Sequence, residues 1–263
     1  MNTDFAQIQQ VLWAVNAVAG VVLLVLLTAR KNYRAFPAFS FYVLLNLGLG
    51  FLALLMYRRW GISTPSSRRI GWGMQGAVIC ARAWAVVEVC RHLLARYRGI
   101  WALAWRILLA CAVLVLVYAS AAAKHIWEYA LLASDRGVEL LIAAVMVGIL
   151  CFTRYYDVQV KAADRSLAVG FCLYSCFGVL NNTILERYLH HYGELWNVLG
   201  MLAFLASLLL WTWALRKPQT EVVSEETLLP IGIYQTVGPH INLRLRSLNE
   251  RLGQLMKPEA TRH

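Results

Sequence analysis

The sequence predicts an all-α polytopic transmembrane bundle of seven helices, N-out and C-in, with a short cytoplasmic amphipathic helix near its C-terminus. Three observations carry that prediction. The 263 residues are 60% hydrophobic and 15% charged, whereas soluble domains average about 25% charged. Seven apolar runs approach or exceed the ~20 residues needed to cross ~30 Å of hydrocarbon. All six prolines (Pro37, Pro65, Pro218, Pro230, Pro239, Pro258) fall outside those runs, and proline is the residue that breaks a helical ladder.

The runs lie at 8–28, 38–57, 70–93, 104–123, 137–153, 166–185 and 195–215. The first follows Met1 to Asp4, which is acidic and carries no Lys or Arg. A signal peptide needs a positive start, so this run is expected to stay as a helix. The second opens after Pro37 and carries Asn46. The third is exceptional, with Arg82 near its midpoint and Glu88 about one and a half turns later. A charge at membrane depth costs at least ~2.5–3.5 kcal/mol, so it faces a protein interior or a wet cavity. The third helix is therefore expected at the centre of the bundle.

Arg82 lies too deep to reach an interface easily. Glu88 is a poor mate, because six helical residues turn about 240° and rise about 9 Å. Asn46 on the second helix and Glu139 near the outer end of the fifth are the expected partners. His92, four residues after Glu88, is expected to pair with Glu88 instead. Asp is absent from all seven runs.

The sixth run brings Cys172 and Cys176 to one face and ends with Asn181 and Asn182. With no C-x-x-C pair, neither a zinc site nor a disulfide framework is supported. Asn16, Asn46, Asn181 and Asn182 read first as interhelical hydrogen-bonding residues, each worth ~0.6 kcal/mol. The sharper reading is a ligand pocket built from some of them with Arg82.

Orientation follows from the basic residues. With the N-terminus outside, 17 Lys and Arg fall in inner segments and 7 in outer ones, with Arg82 left in the membrane. That bias favours N-out, C-in, although Arg58, Arg59, Arg68 and Arg69 run against it. Trp13, Trp60, Trp72, Trp127 and Trp196 fall near the outer face and Trp101, Trp105, Trp211 and Trp213 near the inner one, as interfacial belts do. Trp84 alone is expected deep.

Residues 1–217 form the membrane domain and 218–263 a cytoplasmic tail. In the tail, Ile241, Leu245, Leu248, Leu252 and Leu255 recur at spacings of 4, 3, 4 and 3, an amphipathic helix near 241–256. It suits a membrane surface, a membrane-protein partner or a second copy of the chain. The net charge of +11 sits in short segments between apolar runs, where it serves topology and lipid headgroups. Nucleic-acid binding needs a basic face on a soluble fold and is set aside.

Other motifs carry little. Gly71-Trp72-Gly73-Met74-Gln75-Gly76 matches G-x-G-x-x-G but opens a membrane helix, with no strand before it. Retinal needs a lysine deep in the last helix, and Leu195 to Leu215 has none. Glu186, His190 and Glu194 at i, i+4 and i+8, which His125 and Glu128 at the end of the fourth helix could approach, are the weak candidates for a metal or haem site; a solvated helical turn is the plainer reading. No cofactor is assigned.

Phe36-Pro37-Ala38-Phe39 through Tyr42, Glu88, and Leu248-Asn249-Glu250 resemble a group of uncharacterised bacterial seven-helix integral membrane proteins. The resemblance implies the fold and a bacterial inner membrane, and implies no activity. The expected function is non-enzymatic: a sensor or ligand-binding module, or an accessory subunit of a membrane complex. The alternative is a transporter, or a redox subunit holding haem or metal. Arg82, Glu88, Asn46, Glu139, Asn181 and Asn182 are the candidate ligand-binding or buried polar residues.

Overall fold

A computed structural model of the chain describes residues 3–60, 65–94, 98–122, 127–155, 158, 160–188, 193–218 and 246–251. Among the described residues seven long helices order the chain: α1 (Thr3–Ala29), α2 (Pro37–Trp60), α3 (Pro65–Leu94), α4 (Arg98–Ala122), α5 (Trp127–Tyr155), α6 (Ala162–Tyr188) and α7 (Gly193–Ala214). Among the described residues there is no strand. Six helices (all but α3) are long and apolar enough to cross a membrane, which is the composition of an integral membrane protein. The third has ample length, 30 residues or about 45 Å, but its charged and amide side chains lower its apolarity.

Helix starts follow local chemistry. Pro37 and Pro65 are the first residues of α2 and α3, where a missing N–H costs nothing and φ is already helical. Between α1 and α2 the chain turns at Lys31, whose φ of 56° is left-handed, and then makes one 3-10 turn over Asn32–Arg34. The buried Asn32 side chain donates to the carbonyls of Leu215 at 2.9 Å and Lys217 at 3.3 Å. Those carbonyls lie just past the end of α7 at Ala214, so one asparagine ties the first turn of the fold to the close of its last helix.

The third helix packs against α2, α4, α5 and α6, while α1 closes onto α7 and α2. That puts it at the centre, as its charges require. Its buried stripe runs through Ala81, Arg82, Ala85, Val86, Val89, Cys90 and Leu93. The opposite edge carries Trp84, which is 58% exposed and lies against Phe41 with centroids 5.9 Å apart. Trp84 thus lies in the middle of α3 on its exposed face. Among the described residues the indole that is buried outright is Trp211: Gly170 on α6 leaves room for its ring, and its Nε1 donates to the Leu167 carbonyl at 3.2 Å. Phe39 and Tyr42 of α2 meet Phe171 and Trp211 in a cluster of edge and tilted ring contacts. This cluster closes the half of the bundle where α2 and α6 begin. Ser207 Oγ adds a bond to the Gly170 carbonyl at 3.0 Å.

Of the expected tail helix, residues 246–251 are described and helical, with an Arg246–Glu250 pair at 3.6 Å. The rest of 241–256 lies outside the described residues.

Candidate functional site: a buried arginine beside an acidic cleft

Arg82 is 3% exposed. Its guanidinium reaches α5, with Nη2 2.9 Å from Asp135 Oδ1 and Nη1 3.4 Å from Glu139 Oε1. The same group lies over the Tyr174 ring of α6, 5.5 Å from its centroid. One arginine thus ties three helices together at a single point. Its Nε has no hydrogen-bond partner. Glu139 is expected from the sequence and is found. Asp135 lies outside the apolar run, which starts at 137, whereas the helix begins at Trp127. The statement that Asp is absent from the spans is corrected accordingly: Asp135 and Asp164 both lie within apolar stretches long enough to cross a membrane. The i, i+4 spacing of Asp135 and Glu139 was the signal available, since it puts two carboxylates on one helix face.

Glycine at 178 makes the approach feasible. A Cβ there would stand 2.5 Å from Glu139 Oε2, so the carboxylate occupies space that any other residue on α6 would fill.

The two carboxylates form part of the wall of a cleft of about 770 Å³. Its lining comes from residues 9–24 of α1, 46–51 of α2, Asp135 and Glu139 of α5, 174–181 of α6 and 197–204 of α7. The cleft takes α5 and α7 from their first halves and α6 from its second, and straddles the middles of α1 and α2. Asn16, Asn46, Asn181 and Asn197 line it, with Trp13, Phe51, Phe177 and Phe204. Among the described residues, Asp135 and Glu139 are the charged ones in the lining, and Arg82 is not part of it. A smaller void of about 10 Å³, between Tyr42, Asn46 and Trp211, lies toward the core; it is about the size of one water.

Asn16 Nδ2 donates to the carbonyls of Leu12 at 3.0 Å and Met201 at 3.2 Å, the interhelical role expected of such amides. The side-chain oxygens of Asn16 and Asn181 are buried with no donor. Asn46 shares the cleft with Glu139 but makes no described bond to Arg82, so Arg82 takes carboxylates from α5 rather than an amide from α2. The side chain of Asn182 lies outside the described residues.

Glu88 does not belong to this site. Its carboxylate accepts from the backbone N–H groups of Ala38 at 3.1 Å and Phe39 at 2.9 Å. It therefore caps the start of α2 from a neighbouring helix, where orphan donors and the helix dipole favour an anion. The expected Glu88–His92 pair is corrected as well: His92 Nδ1 lies 3.6 Å from Asp164 Oδ1 on α6, and its ring lies against Phe36 with centroids 4.8 Å apart.

The metal or haem candidates receive no geometry. His125 and His190 lie outside the described residues, and so do the side chains of Glu186 and Glu194, although α6 and α7 carry their backbones. Among the described residues no group of three or more His, Cys, Asp or Glu stands close enough to hold a metal ion. Cys172 and Cys176 do share a face, with Sγ atoms 3.8 Å apart. Comparison with protein-family models, with curated proteins and with solved structures found no match for this chain.

Proposed function

We propose that the chain is a non-enzymatic membrane protein that binds a small molecule in the cleft beside Arg82, a ligand-binding module of the sensor class. The observation that carries this reading is the pairing of a roughly 770 Å³ cleft with a buried ion cluster on its wall. Small-molecule sites are concave and mostly apolar, with a few placed polar groups. Ionisable residues inside a membrane domain mark ligand or ion sites more often than structure alone. Seven crossings, with the N-terminus outside a bacterial inner membrane, are part of the proposal. The excess of basic residues in the inner segments supports the orientation. The position of α3 among α2, α4, α5 and α6 supports its crossing, since its charges then face protein. The amphipathic tail is the proposed contact with lipid headgroups, a membrane-protein partner or a second copy.

Thermal unfolding in lipid nanodiscs tests the reading. The wild type and Gly200→Leu, which places a side chain into the cleft lining, are melted against a panel of amines, carboxylates, sugars and neutral aromatics. At least one class should raise the wild-type melting temperature and leave Gly200→Leu unmoved. A panel in which no class shifts the wild type overturns the ligand-binding reading.

A further inference from the structure

We infer that the corner of the bundle where α1 and α7 end is a binding site for the phosphate headgroup of an anionic phospholipid, whose acyl chains run along the outer faces of those two helices. The site is separate from the cleft and independent of its ligand.

Two short basic runs meet at this corner. Arg30, Lys31 and Arg34 follow α1, and Arg216 and Lys217 follow α7. Far apart in the chain, they are brought together by Asn32, whose buried side chain donates to the Leu215 and Lys217 carbonyls. Leu27 and Leu215, on either side of this junction, are fully buried, so packing fixes it as well. All five basic residues are exposed, and residues 30–34 and 215–217 contain no acidic residue. Like charges gathered on one corner repel one another. A phosphate relieves that repulsion and accepts charge-assisted bonds from the guanidinium and ammonium groups.

Three features favour a lipid over a free phosphate. The corner lies at the ends of two helices long and apolar enough to cross a membrane, the level at which headgroups sit. Arg34 lies over the Tyr33 ring, 5.9 Å from its centroid, and Arg216 over the Trp213 ring at 4.9 Å. Both rings are exposed, and such rings belong to the interfacial belt, so they hold two guanidiniums at headgroup depth. Further along the helices, Val22 and Val25 of α1 and Leu209 of α7 are exposed and offer acyl chains an apolar surface.

Positive charge at helix ends also sets topology. Topology, however, needs only charge on one side of the membrane, and does not need two runs bonded into one corner. Lys31 gives a separate sign. Its φ of 56° is one that glycine adopts at no steric cost. The backbone at this turn is thus best served by glycine, whereas a phosphate site is served by a cation.

Native mass spectrometry of the full-length protein, delipidated in detergent, measures binding of phosphatidylglycerol and of phosphatidylcholine with the same acyl chains. Phosphatidylglycerol should bind at least about tenfold more tightly, a preference that a few basic residues around one anionic headgroup supply. Arg30→Gln with Arg216→Gln, one cation from each run, should lower that ratio at least about threefold. Arg58→Gln with Arg59→Gln removes the same charge at the end of α2 and should leave the ratio unchanged. Lys31→Gly should lower the ratio without lowering the melting temperature, which separates the site from the fold.

Equal binding of the two lipids overturns the inference. So does a ratio unchanged in both the Arg30/Arg216 and Lys31→Gly proteins, or an equal fall in the Arg58/Arg59 control, which would assign the preference to diffuse charge. Displacement of phosphatidylglycerol by an equimolar amount of glycerol phosphate would make the corner a soluble-phosphate site and overturn the lipid assignment.

Discussion

Arg82 illustrates how one residue organises a membrane bundle. Lipid offers it no water, so its guanidinium is held by Asp135, Glu139 and the face of Tyr174. Removing one member of a buried pair strands the others, typically at about 3–5 kcal/mol. Arg82→Ala should therefore lower thermal stability by that order, measured by unfolding in nanodiscs. Arg82→Lys should recover part of it, because an ammonium lacks the planar fork that spans two carboxylates. An Arg82→Leu protein that melts higher than wild type and binds the same compounds would show that the cluster has no structural weight. Glu88 acts differently, as a cap donated across a helix boundary. Glu88→Ala should cost about 1–3 kcal/mol, the range for charge-assisted bonds to backbone. Glu88→Gln, which keeps an acceptor, should cost less. Faster hydrogen exchange at Ala38 and Phe39 in Glu88→Ala would locate the loss at the start of α2.

At the scale of elements, small residues set which helices approach closely. Gly178 brings α6 against the Glu139 carboxylate of α5, and Gly170 brings α7 against α6 through Trp211. In lipid the apolar surface gains little by leaving one hydrocarbon for another, so close packing and interhelical hydrogen bonds carry association. Gly178→Ala should destabilise by about 1–3 kcal/mol through overpacking and weaken the Arg82–Glu139 contact. Gly200→Ala is the matched control, since its Cβ would meet Phe177 Cε1 at 3.7 Å, an ordinary contact. If the two alanine variants melt alike, the Glu139 carboxylate has room to move and Gly178 does not hold it. The same argument explains why α4 is peripheral. Among the described residues it touches α5 and α3, and Leu103, Ile107, Leu109, Val113, Leu114 and Leu116 face outward from it.

At the scale of the whole molecule, the two halves of the bundle differ in kind. One half is closed by the rings of Phe39, Tyr42, Phe171 and Trp211. The cleft opens from the middle of α1 and α2 toward the starts of α5 and α7. In the proposed orientation the cleft is on the outer side, where a sensor meets its ligand, and the closed half is on the inner side with the tail. Single cysteines at Asn2 and Glu259 on a cysteine-free background should react with an impermeant reagent from opposite sides of the membrane. Reaction from the same side would remove the seven-crossing topology, and α3, the helix of lowest apolarity, would be the first to reassign.

The chain by itself determined a good deal of this molecule. Composition and the length of apolar runs are local quantities, and they sufficed for an all-helical membrane protein with seven long helices. The cost of a charge among apolar neighbours is also legible locally, so Arg82 could be placed inside the bundle and Glu139 named as its mate. What the chain did not determine is which face of each helix turns inward. In a soluble helix, polar residues mark the outer face. Here lipid-facing and protein-facing positions are equally apolar, so nothing in the sequence marks Trp84 as exposed and Trp211 as buried. Partners across helices escaped for a related reason. Asp135 with Arg82, Glu88 with the start of α2, and His92 with Asp164 depend on which helices become neighbours. That is decided only when glycines and ring clusters set the spacing between helices, and the cleft is the space those contacts leave open.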